Sequence, residues 1–137
     1  MYDLAVTNGL VYFDNNFHKT NIYIKDGVIE HISPLLLKAN ELYDCDGNLV
    51  LPGIIDPHTH FQLHLGRISS RDDFLYGTKA AAFGGVTTII DFLEPVDNEV
   101  DLEEAFKKRI KQARKSVLDY KFHACLKDPK GNIDPIT

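Results

Sequence analysis

The chain has 137 residues, of which 44% are hydrophobic and 26% charged, the composition of a globular protein with a substantial core. With 15 basic and 20 acidic residues its net charge is -5, so it lacks the basic surface that binds nucleic acid or an anionic membrane. Its apolar runs are far shorter than the roughly 20 residues of a membrane span, and no basic flank precedes an apolar core at the N-terminus. We therefore expect a cytoplasmic protein with neither nucleic acid nor membrane as partner.

The chain contains two cysteines, Cys45 and Cys125, which are far apart in sequence and form no CxxC motif. In the cytosol such thiols stay reduced. We expect both to be structural rather than disulfide-bonded.

Residues 1–49 are interrupted by turn dipeptides between β-prone runs. Asn8-Gly9, Asp26-Gly27 and Asp46-Gly47 each separate two such runs. This spacing predicts an antiparallel β-module, with the first domain boundary at its end.

From residue 50 the pattern changes to strands that alternate with helices, which is typical of βαβ units and a parallel sheet. The first strand is predicted over 50–56, and it should end before His58 because Pro57 has no N–H to donate to a sheet. Ser70 is the predicted N-cap of a helix over 71–83.

A β-branched run at 86–92 predicts a second strand buried on both faces. Asp101 opens a second predicted helix, and a third strand follows at about 120–126. The apolar stripe expected to pack this helix consists of Leu102, Phe106, Ile110, Ala113 and Val117. Residues 50–137 therefore form the second predicted domain, with the order β-α-β-α-β.

The histidines of the motif Asp-Pro-His-Thr-His at 56–60 are the strongest candidates for chemistry. Residues i and i+2 of an extended segment point to the same side, so His58 and His60 can converge on one point. Imidazole nitrogen suits Zn²⁺ and related divalent ions. Asp56 is the expected partner that orients these ligands. Considered alone, the tripeptide His-Thr-His is equally compatible with a pair of surface histidines in a loop that bind no metal.

Four further residues have weaker claims. His64 either shapes a substrate pocket or is a solvent-exposed loop histidine, which we favour. Asp91 and Glu94 follow the second strand, where they can support or cap the site. His123 in the third strand is favoured as a structural histidine.

Three stretches resemble the dihydropyrimidinase/hydantoinase branch of the amidohydrolase superfamily. They are Leu-Pro-Gly-Ile-Ile-Asp-Pro-His-Thr-His-Phe-Gln at 51–62, the segment 72–92 that ends in Gly-Gly-Val-Thr-Thr-Ile-Ile-Asp-Phe, and Asp-Tyr-Lys-Phe-His-Ala at 119–124. The N-terminal β-module also resembles the small sandwich domain of that branch, so the resemblance extends over essentially the whole chain.

The resemblance implies a (β/α)₈ barrel of the TIM type, preceded by strands of a small β-sandwich domain. It implies that His58 and His60 hold one Zn²⁺ of a two-metal centre whose bridging carbamylated lysine lies beyond Thr137. It also implies that a cyclic amide or ureide ring is the substrate, and that the complete protein is a homo-oligomer, by family a tetramer. No catalytic residue other than the two ligands is expected within this chain.

A (β/α)₈ barrel takes about 250 residues, far more than follow residue 49. We therefore expect this chain to be the N-terminal third of such a hydrolase. Alone it should aggregate through open sheet edges and lack activity.

Two alternative functions remain open at the level of the sequence. One is a dihydroorotase or allantoinase, which share the His-x-His motif. The other is a non-enzymatic relative of dihydropyrimidinase that serves as an assembly scaffold, although such relatives tend to lose the metal ligands that this chain keeps.

Overall fold

The computed structural model describes residues 1–65, 67–93 and 101–125. The chain divides into two compact units, Met1–Pro52 and Gly53–Thr137, each with its own β-sheet. Within the described residues, no helix combines the length and apolar character needed to cross a membrane.

The first unit is a single mixed sheet. Its strands are β1 (Tyr2–Phe13), β2 (Asn16–Lys25), β3 (Val28–Ser33), β4 (Ala39–Asp44) and β5 (Leu49–Val50). β1, β2 and β3 pair antiparallel, whereas β4 and β5 both run parallel to β1. The prediction of an antiparallel module is thus right for three strands and wrong for the last two.

The parallel pairing of β4 depends on how the chain leaves β3. The buried Tyr23 hydroxyl donates to the Leu35 carbonyl at 2.6 Å and accepts the Leu37 N–H at 3.0 Å. These two bonds hold the connection against the sheet, so that the chain returns to the free edge of β1 instead of turning back along β3.

Asn8-Gly9 does not end a strand, contrary to the prediction. β1 continues through it, and the pairing with β2 shifts register between Val6 and Gly9. Asn8 has a positive φ of 54°, and the Asn21 side chain accepts its N–H at 3.2 Å. The dipeptide therefore forms a bulge, whereas Asp26-Gly27, with two positive φ angles, makes the predicted hairpin turn.

The second unit has the predicted alternation of strands and helices. It contains β6 (Ile54–Thr59), β7 (His64–Leu65), β8 (Ile68–Ser69), α1 (Phe74–Phe83), β9 (Val86–Phe92), α2 (Leu102–Ala113) and β10 (Asp119–His123). β6, β9 and β10 form a parallel sheet in the order β10-β9-β6. The third predicted strand ends at His123, and Leu126 lies outside the described residues.

Helix α1 is capped by Asp73 and not by Ser70. The Asp73 side chain accepts the Tyr76 N–H at 2.9 Å. Ser70 is engaged elsewhere, since its N–H donates to the Leu63 carbonyl and its hydroxyl accepts the Leu63 N–H, both at 2.8 Å. The predicted cap was wrong because Ser70 closes the β7–β8 loop.

Helix α2 shares one buried residue, Ala113, with the predicted stripe and otherwise packs through a different face. It buries Ala105, Arg109 and Ala113, while Phe106 and Val117 remain 44% and 52% exposed. The arginine between the two alanines pairs with the buried carboxylate of Asp91. Ala113 joins the core formed with Phe74 and Ile89.

The two cysteines are free thiols with different surroundings. Burial raises the pKa of the Cys45 thiol, and the Asp44 carboxylate adds to this effect. Cys125 is partly exposed.

We expect iodoacetamide at pH 8 to modify Cys125 at least about tenfold faster than Cys45, because the thiolate is the reacting form and must be accessible. Peptide mass spectrometry measures both rates, and equal rates in the native protein, as expected in urea, would contradict the burial of Cys45.

Candidate metal centre

β6 continues past Pro57, which was expected to end it, and contains His58, whereas His60 directly follows the strand. The strand runs to Thr59, and its register against β9 shifts between Asp56 and Thr59. A shift of this kind accommodates Pro57, whose missing N–H would otherwise leave a gap in the ladder. The Pro57 carbonyl lies 3.0 Å from Nε2 of His123, which ties β10 to this irregular end of β6.

The two histidines of the motif lie beside each other. Nε2 of His58 and Nε2 of His60 are 3.1 Å apart, and the rings meet edge to face with centroids 5.0 Å apart. Both residues are exposed. Two nitrogens at about 2.0–2.1 Å from a tetrahedral zinc ion are separated by about 3.3 Å. The donor pair therefore fits chelation of a single ion.

Phe92, the last residue of β9, supports both rings. Its ring centroid is 4.6 Å from that of His58 and 4.8 Å from that of His60. His123 packs on the same ring at 4.9 Å. This aromatic contact limits the rotation of the two candidate ligands.

Asp56 supports the backbone of the motif. Its carboxylate accepts the His58 N–H at 3.2 Å. The predicted role was to orient an imidazole, and the observed bond instead holds the main chain where the ladder to β9 is interrupted.

Asp91 is fully buried at the end of β9 and forms hydrogen bonds with the residues on both sides of His60. Its Oδ2 accepts the Thr59 hydroxyl at 3.1 Å and the Phe61 N–H at 2.9 Å, while Oδ1 accepts the Phe92 N–H at 2.6 Å. Asp91 was predicted to support or cap the site. These bonds bring its carboxylate to the residues on both sides of His60, and its role in the site stays a prediction.

Arg109 was not foreseen by the sequence analysis. It is 1% exposed, and its NH2 group donates to Asp91 Oδ1 at 2.5 Å and to the Phe61 carbonyl at 2.6 Å. NH1 donates to Gln112 at 2.9 Å, and the guanidinium lies 4.7 Å from the centre of the Phe74 ring. The charge is thus buried together with an opposite charge and an aromatic face.

Glu103 and Lys107 of α2 form an exposed ion pair, whereas Arg109 on the same helix is buried. One signal was available in the sequence. Arg109 stands midway between Ala105 and Ala113 at i±4, so the smallest side chains of the helix share its face.

Two predicted site residues, His64 and Glu94, remain to be placed. His64 is exposed and pairs with Ser69 in the short β7–β8 hairpin, and its role in a substrate pocket stays a prediction. Glu94 lies outside the described residues. The part of the chain that the structure describes contains no group of three or more His, Cys, Asp or Glu side chains that could hold a metal ion.

The family assignment is decided by comparison with known proteins. The sequence model of the amidohydrolase family matches residues 49–133, more than half of the chain. The chain belongs to the amidohydrolase family. Within that family its predicted resemblance to the dihydropyrimidinase and hydantoinase branch is confirmed by the relatives described next.

Several curated amidohydrolase relatives match the chain over most of its length. It is 39% identical over 129 residues to a D-hydantoinase of Geobacillus stearothermophilus, covering 90% of this chain and 26% of that protein. It is 37% identical over 126 residues to a dihydropyrimidinase of Dictyostelium discoideum, covering 90% of this chain and 25% of that protein. The chain therefore spans about a quarter of the length of these relatives.

Solved structures of the same branch have a similar fold. The crystal structure of dihydropyrimidinase from Brevibacillus agri NCHU1002 matches with a TM-score of 0.86 and 34% identity, over 96% of this chain and 28% of that chain. A crystal structure of a D-hydantoinase matches with a TM-score of 0.82 and 39% identity, over 90% of this chain and 27% of that chain. The mixed α/β architecture of this amidohydrolase chain is that of its relatives.

Proposed function

We propose that this chain is the N-terminal part of a metal-dependent cyclic amidohydrolase that opens a dihydropyrimidine or hydantoin ring. In this proposal, residues 1–49 belong to a small β-sandwich domain, and residues 50–137 supply the first β-α-β-α-β units of a (β/α)₈ barrel. A cytoplasmic location and a homotetrameric assembly remain predictions.

The observation that supports this function best is the paired arrangement of His58 and His60. Their Nε2 atoms lie 3.1 Å apart at the carboxyl end of a parallel strand. In (β/α)₈ enzymes the chemistry takes place at that end of the strands. Two imidazoles leave room for further ligands, which a catalytic metal needs. Zn²⁺ is the metal that we propose.

The reaction is the addition of water across the ring C–N bond. The water oxygen forms a bond to the carbonyl carbon, the C–N bond breaks, and the departing nitrogen takes up a proton, which leaves a carboxylate and an open ureido chain. A bound divalent metal would lower the pKa of water towards about 7 and would polarise the carbonyl. His58 and His60 would hold that metal, and Phe92 would keep both imidazoles from rotating away.

The test uses the complete gene product, translated from the full reading frame that carries this sequence. Dihydrouracil, hydantoin, dihydroorotate and allantoin are offered separately, and ring opening is followed by absorbance and mass spectrometry. We expect turnover of dihydrouracil or hydantoin, loss after treatment with a chelator, and recovery when Zn²⁺ is added back.

Two other results of this assay would change the proposed function. Turnover of dihydroorotate or allantoin alone would replace the proposed substrate class with the alternative one. Absence of turnover from a metal-loaded protein would overturn the enzymatic function and favour a scaffold.

A further inference from the structure

We propose that Arg109 and Asp91 form a clamp that fixes the main chain on both sides of His60 and thereby sets the direction of its imidazole towards the metal. The metal in this statement rests on the proposed function. The clamp itself rests on contacts within this chain. Both residues are positioning residues, since they reach the metal ligand through its neighbours.

The first half of the clamp is the Asp91 carboxylate. One oxygen, Oδ2, accepts the Thr59 hydroxyl at 3.1 Å and the Phe61 N–H at 2.9 Å. Thr59 and Phe61 are the residues immediately before and after His60. A single buried oxygen therefore restrains the chain on either side of this histidine.

The second half of the clamp is the Arg109 guanidinium. Its NH2 group bonds to the other Asp91 oxygen at 2.5 Å and to the Phe61 carbonyl at 2.6 Å. Phe61 thus has its N–H held by Asp91 and its carbonyl held by Arg109. Hydrogen bonds to ionised groups are roughly twice as strong as neutral ones, and both charges here are buried.

The side chain of Phe61 provides a third restraint. Its ring lies 5.8 Å from the Phe74 ring and directly against Gly77 of α1. A Cβ added at Gly77 would clash with that ring, so glycine is required for this approach. Phe61 is therefore held by α1 through its side chain and by α2 through its carbonyl.

The need for such a clamp follows from the irregular end of β6. The register shift between Asp56 and Thr59 interrupts the ladder to β9 just before His60. Only the pair of Thr59 with Asp91 resumes after the shift before β6 ends, and the Asp91 carboxylate adds the side-chain bonds to Thr59 and Phe61 that restrain the chain around His60. Partners that orient a metal ligand typically change metal affinity 10- to 100-fold when they are removed.

The experiment measures Zn²⁺ affinity and local hydrogen exchange in the complete gene product. Arg109→Met removes the guanidinium at similar side-chain length, and Thr59→Val removes one donor to Asp91 with little change in shape. Glu103→Gln on the exposed side of α2 is the matched control. Zn²⁺ affinity is determined by competition with a chromophoric chelator, and amide exchange is followed in the metal-free protein at Phe61 and across β10.

We expect Arg109→Met to weaken Zn²⁺ binding by about 10- to 100-fold. Exchange at Phe61 should accelerate at least tenfold while exchange in β10 stays within a factor of about two, which separates local positioning from general loosening. Thr59→Val should change both readouts in the same direction by a smaller factor, and Glu103→Gln should change neither.

The clamp is overturned if folded Arg109→Met keeps wild-type Zn²⁺ affinity and wild-type exchange at Phe61. If that variant does not fold, Thr59→Val decides in the same way, and wild-type values for both readouts overturn the clamp. A wild-type protein that binds no Zn²⁺ would defeat the proposed function, and exchange at Phe61 would still decide whether the clamp exists.

Discussion

Replacement of His60 by alanine in the complete gene product is expected to lower kcat/KM for ring opening at least about a thousandfold. This factor corresponds to a loss of about 4 kcal/mol of transition-state stabilisation. The reason is that His60 and His58 present the paired Nε2 atoms, and one imidazole alone cannot chelate the ion. Initial rates on dihydrouracil and hydantoin, together with the metal content per subunit, measure the effect.

His31→Ala serves as the control, because His31 is an exposed histidine of β3 in the first unit. It should leave kcat/KM within about twofold of wild type. A His60→Ala protein that retained more than about a tenth of wild-type turnover with full metal content would show that His60 is not a ligand.

The second large effect concerns stability. Asp91→Ala should lower the free energy of unfolding by about 3–5 kcal/mol, the usual cost of breaking a buried ion pair by removing one partner. The substitution leaves the 1% exposed Arg109 without its opposite charge and the Thr59 hydroxyl and Phe61 N–H without their acceptor. Urea unfolding of the complete gene product, followed by circular dichroism, measures the change.

Glu103→Ala is the matched control for this measurement. It also breaks an ion pair of α2, but the side chains of Glu103 and Lys107 are 70% and 72% exposed. Pairs of this kind contribute about 0.3–0.5 kcal/mol. If Asp91→Ala cost no more than Glu103→Ala, the buried pair would not stabilise the fold.

The alternation of strands and helices in the second unit was predictable because its signals are local. The β-branched run at 86–92 forms β9 with the predicted bounds, and Asp101 stands at the N-cap of α2. Caps and registers were less predictable, since they depend on competing partners. Ser70 was lost as a cap because Leu63 occupies both its N–H and its hydroxyl.

The candidate metal centre likewise has a part that the sequence predicts and a part that it does not. Adjacency of His58 and His60 follows from their i,i+2 spacing at the end of β6, which the sequence displays directly. The bonds around them could not be predicted, because Asp91 and Arg109 are 18 residues apart and meet only when α2 docks on the sheet. The apolar stripe predicted for α2 was only partly right for the same reason. Ala113 is buried as predicted, but the buried charge of Arg109 on the packing face is recognised only with its partner present.

Anomalous diffraction from crystals of the metal-loaded complete gene product, recorded on both sides of the zinc absorption edge, tests the central claim most directly. We predict a zinc peak about 2.0–2.1 Å from Nε2 of both His58 and His60. A fully active, zinc-loaded protein whose peaks lie away from these two nitrogens would contradict the assignment of His58 and His60 as metal ligands.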